Sequence, residues 1–245
     1  MLKKLFIFLF LMLITTYLVV AVTAFNGKPL EETCTGMELV IADSIDHGFI
    51  TKKEILRTLT QKKLSPIGKV MKDINTRTLE DALNQHPLIG NAECFRTTGN
   101  RIGIRVTQRL PILRVMAANG ENYYVDDKGQ AMPIANSAAN VVIATGNIDK
   151  NFATKDLYEF GLFIQKEPLW QAQIQQINVT PTKELELVPR VGEHIIFLGK
   201  PGDYKEKFDR LKTFYKKGLN KVGWNKYSRI SLEFNNQIIC TKKEK

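Results

Sequence analysis

The sequence predicts an α+β protein in which one apolar N-terminal helix precedes a folded part of about 220 residues. Three observations support this class. Residues 5–25 form an uncharged apolar run, and residues 37–108 read in the order strand, helix, helix, strand, strand. Residues 109–241 read as short strands separated by turn residues, with two helices among them. We therefore expect one helix-covered sheet followed by a mostly antiparallel β domain.

The apolar run, "LFIFLFLMLITTYLVVAVTAF", contains no charge and no proline. As a helix its 21 residues would be about 31 Å long, which matches a bilayer hydrocarbon core. A cleavable signal sequence is the competing interpretation, because "VTA" at 22–24 resembles a cleavage site. The run is longer than a usual signal core, so we favour an uncleaved transmembrane anchor.

The flanks of the anchor predict its orientation. Residues 1–4, "MLKK", carry two lysines, whereas the start of the predicted juxtamembrane linker, 26–36, is net acidic. Positive flanks stay in the cytoplasm. We therefore expect a single-pass protein of the inner (plasma) membrane, with its C-terminal bulk in the periplasm.

Composition restricts the function further. The net charge is +10, with acidic residues interspersed among the basic ones, which is typical of a solvated surface. Attraction to anionic lipid or wall polymer stays open, whereas the topology disfavours nucleic acid. The three cysteines allow at most one disulfide, and whether Cys34 and Cys94 are joined is left open.

The first predicted module has clear helix and strand patterns. "TKKE" at 51–54 fits a capping box and opens a helix over 52–62, and Leu79 and Leu83 mark a second helix over 77–85. A strand over 37–43 precedes these helices. A hairpin follows them, since apolar and other residues alternate in "RIGIRVTQR" after the turn "TGN".

The second module contains more strands. The strand segments are "PILRVMA", "NYYVDD", "QAMPI", "VVIATG", "IQQINVTP", "KELELVPR" and "HIIFLG". Helices are predicted over 154–166 and from Asp203 onward, where Tyr204, Phe208, Leu211 and Tyr215 form an apolar stripe. That stripe indicates core packing.

No catalytic or metal-binding pattern is present in the sequence. The three histidines are far apart, and neither a GxSxG elbow nor a phosphate-binding loop occurs. Asp126 and Asp127 are adjacent in a turn, where carboxylates are usually solvated. We predict a protein that is not an enzyme and needs neither a cofactor nor a metal.

The order of these pieces resembles the FtsQ/DivIB family of bacterial cell-division proteins. The segments that carry the resemblance are "LNQHPLIGNAECFRTTGNRIGIRVTQRLPI", "YYVDDKGQAMP" and "YSRISLEF". The resemblance implies a POTRA domain over 37–108 and the family's β domain over 109–241, with a basic tail at 242–245. It also implies a noncatalytic scaffold of the divisome at the division septum.

The implied partners are FtsB-like and FtsL-like coiled-coil division proteins, and through them the FtsW/FtsI septal synthases. The closing segment "ISLEFNNQIICTKKEK" predicts where these partners bind. It reads as a strand, a turn at Asn235 and Asn236, and a final strand over 237–241. If that strand lies at the sheet edge, a partner strand can pair with its backbone.

The partner-binding residues are therefore predicted to be Phe234, Asn236, Gln237, Ile238, Ile239, Cys240 and Thr241. Asn236, Ile238 and Cys240 share one face of this strand, and the remaining strand residues share the other. Sequence alone does not decide which face packs on the core. It also leaves open whether Phe234 and the isoleucines are simply core residues.

One alternative uses the first module instead. A POTRA-containing periplasmic chaperone or assembly factor for envelope proteins would bind its clients through 37–108. Both hypotheses depend on strand addition, and they differ in the module that receives the strand.

Overall fold

The computed structural model describes residues 2–25, 32–42, 48–135 and 138–244. Its helices are α1 (Leu2–Phe25), α2 (Lys52–Gln61), α3 (Thr76–Asn84), α4 (Lys150–Phe152), α5 (Tyr158–Lys166), α6 (Pro168–Gln173), α7 (Tyr204–Phe214) and α8 (Asn220–Val222). Its strands are β1 (Gly36–Ile41), β2 (Ile89–Thr97), β3 (Arg101–Gln108), β4 (Pro111–Ala117), β5 (Asn122–Asp126), β6 (Ala131–Met132), β7 (Val142–Gly146), β8 (Ile174–Val179), β9 (Leu185–Pro189), β10 (Ile195–Gly199), β11 (Tyr227–Ser231) and β12 (Ile239–Lys242).

The N-terminal apolar run forms the helix α1. Its large apolar side chains, from Phe6 to Val22, are exposed. Within the described ranges, no helix combines the length and the apolar character needed to cross a membrane. The transmembrane anchor over 5–25 therefore stays a prediction.

The chain divides into two compact units, and the first comprises the described parts of 1–42, 52–84 and 92–106. Its sheet has the order β1-β3-β2, with β1 parallel to β3. Helix α2 contacts α3 and β1. The apolar positions of β3 are buried because alternate side chains of a strand point to the same face. The order strand, helix, helix, strand, strand is the predicted one.

The first unit begins earlier than the predicted boundary at residue 37. Thr33 pairs with Val70, and Cys34 is buried. Residues 32–35 are therefore part of the fold, and the predicted linker over 26–36 is too long at this end. Position 43, the predicted end of the first strand, lies outside the described residues.

The cysteines of the described chain are free thiols. Cys34 and Cys94 are both buried and are not joined. Burial, reinforced by the nearby Glu80 carboxylate, raises the pKa of Cys94 to about 12. This thiol stays protonated at neutral pH.

The second unit contains a nine-stranded sheet with the order β12-β11-β10-β9-β8-β7-β4-β5-β6. Five of its neighbouring strand pairs are antiparallel and three are parallel, so the sheet is mostly antiparallel, as predicted. Its core is built from the inward residues of the strands and from α5, α6 and α7. The predicted stripe of the second helix lies in this core, since Phe208, Leu211 and Tyr215 are buried.

Three elements of this unit differ from the prediction. The first helical segment begins at Lys150 rather than 154, because Asp149 caps it by accepting a 2.9 Å hydrogen bond from the Phe152 N–H. A short helix, α6, starts with Pro168 and was not predicted, so the count of two helices is wrong. The predicted strand "QAMPI" is only two residues long in β6, and Pro133, which has no N–H for a ladder, follows it.

Candidate functional site: the edge strand β12

The candidate site is the hairpin of β11 and β12 at one end of the nine-stranded sheet. Ile230 pairs with Cys240, and Ser231 pairs with Ile239, in an antiparallel ladder. On its other side, β11 pairs with β10. In the sheet as described, β12 pairs with β11 alone, so one of its backbone edges is open.

The hairpin is shorter, and its loop longer, than the sequence predicts. The final strand was predicted over 237–241, but β12 spans Ile239–Lys242. Gln237 and Ile238 lie in the loop that connects it to β11. The predicted turn at Asn235 and Asn236 is present, but neither strand reaches it. Beside this turn, Arg210 Nη2 donates a 3.1 Å hydrogen bond to the Phe234 carbonyl oxygen.

The hydrogen-bond pattern identifies which backbone groups of β12 point outward. The N–H of Lys243 donates to the Lys226 carbonyl oxygen at 3.2 Å, so this group faces β11. Backbone groups alternate in direction along an antiparallel strand. Thr241 and Ile239 therefore also face β11, whereas the N–H and C=O groups of Cys240 and Lys242 face the open edge.

The side chains of the hairpin divide between core and solvent. Ile238 and Cys240 are half-buried and pack against the core of the second unit. Ile239 and Thr241 are exposed, which leaves that face of β12 accessible. Phe234 is 46% exposed, so its ring is not a core residue. Asn236 and Gln237 are exposed in the loop.

A groove of about 650 Å³ lies beside the residues that lead into β12. The ring of Phe214 and the side chain of Ile238 supply apolar lining. The charged lining is balanced, with Arg210 and Lys217 opposed by Glu206 and Asp209. Gly218 lies in a π-helical turn of the same helical segment. A Cβ at this position would come within 2.8 Å of the Phe214 ring, so glycine keeps this part of the groove free.

Basic residues beside the hairpin form ion pairs with carboxylates. Lys243 is paired with Glu193, and hydrogen bonding and attraction from this lysine lower the pKa of that carboxyl. Arg210 also forms an ion pair of 3.0 Å with Glu206, one helical turn earlier. Burial raises the pKa of the Cys240 thiol, so the edge carries no thiolate at neutral pH. The arrangement offers main-chain hydrogen bonding and apolar contact rather than acid–base chemistry.

No group of three or more His, Cys, Asp and Glu side chains suited to a metal occurs in the described ranges. Asp126, one of the paired carboxylates considered from sequence, is buried and forms an ion pair with Arg109, with Nε and Oδ2 2.7 Å apart. It accepts hydrogen bonds from the N–H groups of Lys128 and Gln130. Its role is therefore to shape the turn before β6.

A match to a known protein family covers the part of the chain that contains the candidate hairpin. The family described as FtsQ/DivIB, C-terminal related, matches residues 110–241, which is more than half of the chain and includes all but one residue of the candidate hairpin. The chain belongs to the FtsQ/DivIB family. A second match, to the POTRA-like domain, covers residues 32–107.

A curated relative is the cell division protein FtsQ of Myxococcus fulvus. This chain is 31% identical to it over 80 residues, which are 33% of this chain and 26% of the relative. The matched part thus spans about a quarter of the relative's length. The resemblance to the FtsQ/DivIB family that the sequence motifs indicated is confirmed.

Sequence reasoning missed the groove beside the hairpin. Phe214 lies three residues after Leu211, so helical periodicity places it next to the predicted stripe and could have indicated it. Arg210 follows Glu206 by four residues, which indicates their pair but not the bond to the Phe234 carbonyl. That bond joins positions 24 residues apart and depends on the tertiary fold.

Proposed function

We propose that this chain is a noncatalytic scaffold of the bacterial divisome that binds partner proteins by strand addition at β12. The partners are FtsB-like and FtsL-like division proteins, which link the scaffold to the FtsW/FtsI septal synthases. The observation that carries the proposal is the open edge of β12, which pairs with β11 alone in the described sheet.

Strand addition suits the geometry of this edge. The outward backbone groups of Cys240 and Lys242 supply hydrogen bonds that do not depend on the partner's sequence. The exposed side chains of Ile239 and Thr241, together with the half-exposed ring of Phe234, supply contacts that do depend on it. The neighbouring groove provides an apolar recess for a partner side chain.

The proposal includes a membrane anchor over 5–25, with the C-terminal bulk in the periplasm and the protein at the septum. Its support is the uncharged run of 21 residues, the two lysines before it and the family membership of the chain. Alkaline carbonate extraction of membranes tests this part separately. The protein should stay in the pellet, and release into the supernatant would contradict the anchor.

The main experiment is co-purification of the FtsB-like protein of the same cell with the full chain and with a chain that lacks 236–245. We expect the deletion to abolish capture and septal recruitment of that partner. Limited proteolysis of the remaining chain checks that its fold survives, because β12 contributes an outer strand only. Unchanged capture by a folded deletion variant would exclude the hairpin as the binding site.

A second candidate is a periplasmic chaperone that binds clients through the POTRA-like unit. The observation in its favour is that β1 is also an edge strand, with Val40 53% exposed on it. In that case the deletion of 236–245 would leave client binding intact. Ile41→Pro would reduce it instead, because the Ala42 N–H donates to the Val106 carbonyl oxygen on β3 and the neighbouring Ile41 N–H therefore faces the open side of β1.

A further inference from the structure

Two exposed valines, one on a loop and one at the end of a helix, lie near the end of the sheet where β12 finishes. Val191, in the loop between β9 and β10, is 51% exposed. Val222, the last residue of α8, is 42% exposed. Both are apolar side chains on connections, where polar residues are usual, and the half-buried indole of Trp224 lies in the same region.

These two loops are held against each other by defined contacts. Gly192 has a φ of +94°, and a Cβ on it would lie 3.5 Å from the Trp224 carbonyl oxygen. The Trp224 ring lies 4.8 Å from the Tyr215 ring, centroid to centroid, and its Nε1–H donates to Asn220 Oδ1 at 3.1 Å. Gln173 Nε2 donates to the Val191 carbonyl oxygen at 3.0 Å. The two valines are therefore presented by a fixed platform.

Basic residues neighbour this platform along the chain and through the β11–β12 ladder. We call it the valine platform and define it by Val191, Val222 and Trp224. The basic residues next to it in sequence, or joined to it through the ladder at the end of β12, are Arg190, Lys221, Lys226, Lys242 and Lys243. The acidic residues in the same segments are Glu193 and Glu244, so five positive and two negative charges leave +3 (5 − 2).

These basic side chains are largely unpaired. Lys243 pairs with Glu193, whereas the other four form no ion pair with a carboxylate of the described chain. Unpaired lysines beside exposed apolar tips and an indole are the composition that binds a bilayer surface. On such a surface lysines are attracted to anionic headgroups, and exposed apolar side chains such as the two valines enter the interface.

We propose that the valine platform docks on the surface of a bilayer that contains anionic lipid. Protruding apolar tips suit a deformable lipid surface, whereas an acidic protein segment would need a recess to receive it. Long lysine side chains can also bury their stems along the interface while their ammonium groups contact phosphates. The proposal concerns a different surface from the open edge of β12.

Hydrogen–deuterium exchange of the full chain in lipid nanodiscs tests the proposal, because it reports on the loops themselves whatever else in the chain touches lipid. One set of nanodiscs contains phosphatidylglycerol, and the other contains phosphatidylcholine only. We expect the amides of 190–194 and 221–226 to exchange more slowly in the anionic set, with the difference lost in high salt.

Two variants make the test specific. Lys221→Gln with Lys226→Gln should lower the lipid-dependent protection by about fivefold for each lysine, and Val191→Ser with Val222→Ser should also lower it. The matched control is Lys212→Gln with Lys216→Gln, which removes the same amount of charge. Both lysines lie earlier in the helical segment that ends at Val222, outside the platform, so this variant should change protection less than twofold. Unchanged exchange in β4 and β7 verifies that each variant is folded.

Equal protection in both lipid sets, or protection that the platform variants leave unchanged, would overturn the proposal. Protection that appears only after the FtsB-like partner is added would overturn it in favour of a protein interface.

Discussion

The two edges of the nine-stranded sheet are built differently. At one edge, β6 is only two residues long and is followed by Pro133. Arg109 donates hydrogen bonds of 3.1 Å to the carbonyl oxygens of Gln130 and Ala131 at this end. At the other edge, β12 is four residues long, and its outward groups have no strand to pair with in the described sheet.

The difference follows a general rule of β proteins. Unpaired edges invite unwanted association, so most are shortened, covered or interrupted by proline. The β6 edge uses these devices, and we call it the closed edge. The β12 edge uses mainly lysine, which discourages self-pairing yet leaves the backbone available, and we call it the open edge. The open edge is the one at which we propose that a partner strand pairs.

The largest expected change in the free energy of unfolding comes from a substitution that removes the contacts of the closed edge. Arg109→Ala removes the partner of the buried Asp126 carboxylate and two bonds to the carbonyls near β6. Loss of one partner of a buried pair destabilises a protein by about 3–5 kcal/mol. Urea unfolding of the full chain measures this loss.

The matched control for that change is Arg105→Ala. Arg105 forms an exposed ion pair with Glu93, with nitrogen and oxygen 4.0 Å apart, and such pairs contribute about 1 kcal/mol or less. If Arg109→Ala also lowers the free energy of unfolding by less than about 1 kcal/mol, Arg109 does not stabilise the closed edge.

Proline substitutions at two neighbouring positions of β12 test which backbone N–H groups of the open edge bind the partner. Cys240→Pro removes an outward N–H, so partner binding should fall about tenfold, the effect of one hydrogen bond, while the fold survives. Thr241→Pro removes a bond to β11, so it should lower the stability of the hairpin instead. Titration calorimetry with the proposed FtsB-like partner measures binding, and urea unfolding measures stability, so together they separate the two effects.

The control for the first proline is Cys240→Ala, which keeps the outward N–H and should bind normally. Equal effects of the two prolines on binding and on stability would contradict the assignment of outward groups.

A third test concerns pH and the half of the sheet near the open edge. His194 is buried, and its Nε2 lies 3.0 Å from the Tyr215 hydroxyl. Burial lowers the pKa of His194 below its ordinary value, because the charged imidazolium is disfavoured there. The unfolded chain then binds a proton more readily than the folded one, so stability falls as pH drops below about 6.5 and is retained above it.

Urea midpoints at pH 7.5 and at pH 5.5 measure this effect, and His194→Gln should reduce the difference between them. Hydrogen exchange at the lower pH should increase in β10 and in the helical segment around Tyr215, but not in β5 and β6. An unchanged difference in the variant would contradict a role for His194.

The smallest expected change in stability comes from replacing a surface lysine of the open edge. Lys242→Ser on the open edge should change the free energy of unfolding by no more than about 0.5 kcal/mol, yet increase self-association at high concentration. Lys128→Ser, in the turn before the closed edge, should change neither. Analytical ultracentrifugation measures the difference, and equal self-association of the two variants would show that Lys242 does not protect the edge.

Local patterns predicted most of the fold because they depend on neighbouring residues. The alternation of Ile102, Ile104 and Val106 predicted β3, and the helical spacing of Phe208, Leu211 and Tyr215 predicted a helix packed on the core. The family motifs are also local. The structure confirms these elements with shifts of a few residues at their ends.

What the sequence could not predict depends on long-range contacts. β12 starts at Ile239, and the connection before it contains a hydrogen bond from Arg210 to the Phe234 carbonyl oxygen that joins positions 24 residues apart. The closed edge depends in the same way on Arg109, which reaches carbonyls more than 20 positions away. Which face of the final strand meets the core also required the structure, since both faces carry an isoleucine.

The most direct measurement is hydrogen–deuterium exchange of the full chain alone and in complex with the proposed FtsB-like partner, followed at β12 and at β6. If a partner strand pairs with the open edge, the amides of Cys240 and Lys242 should exchange much more slowly in the complex, while those of β6 do not change. Formation of a complex with the amides of Cys240 and Lys242 exchanging as fast as in the free chain would contradict strand addition at this edge.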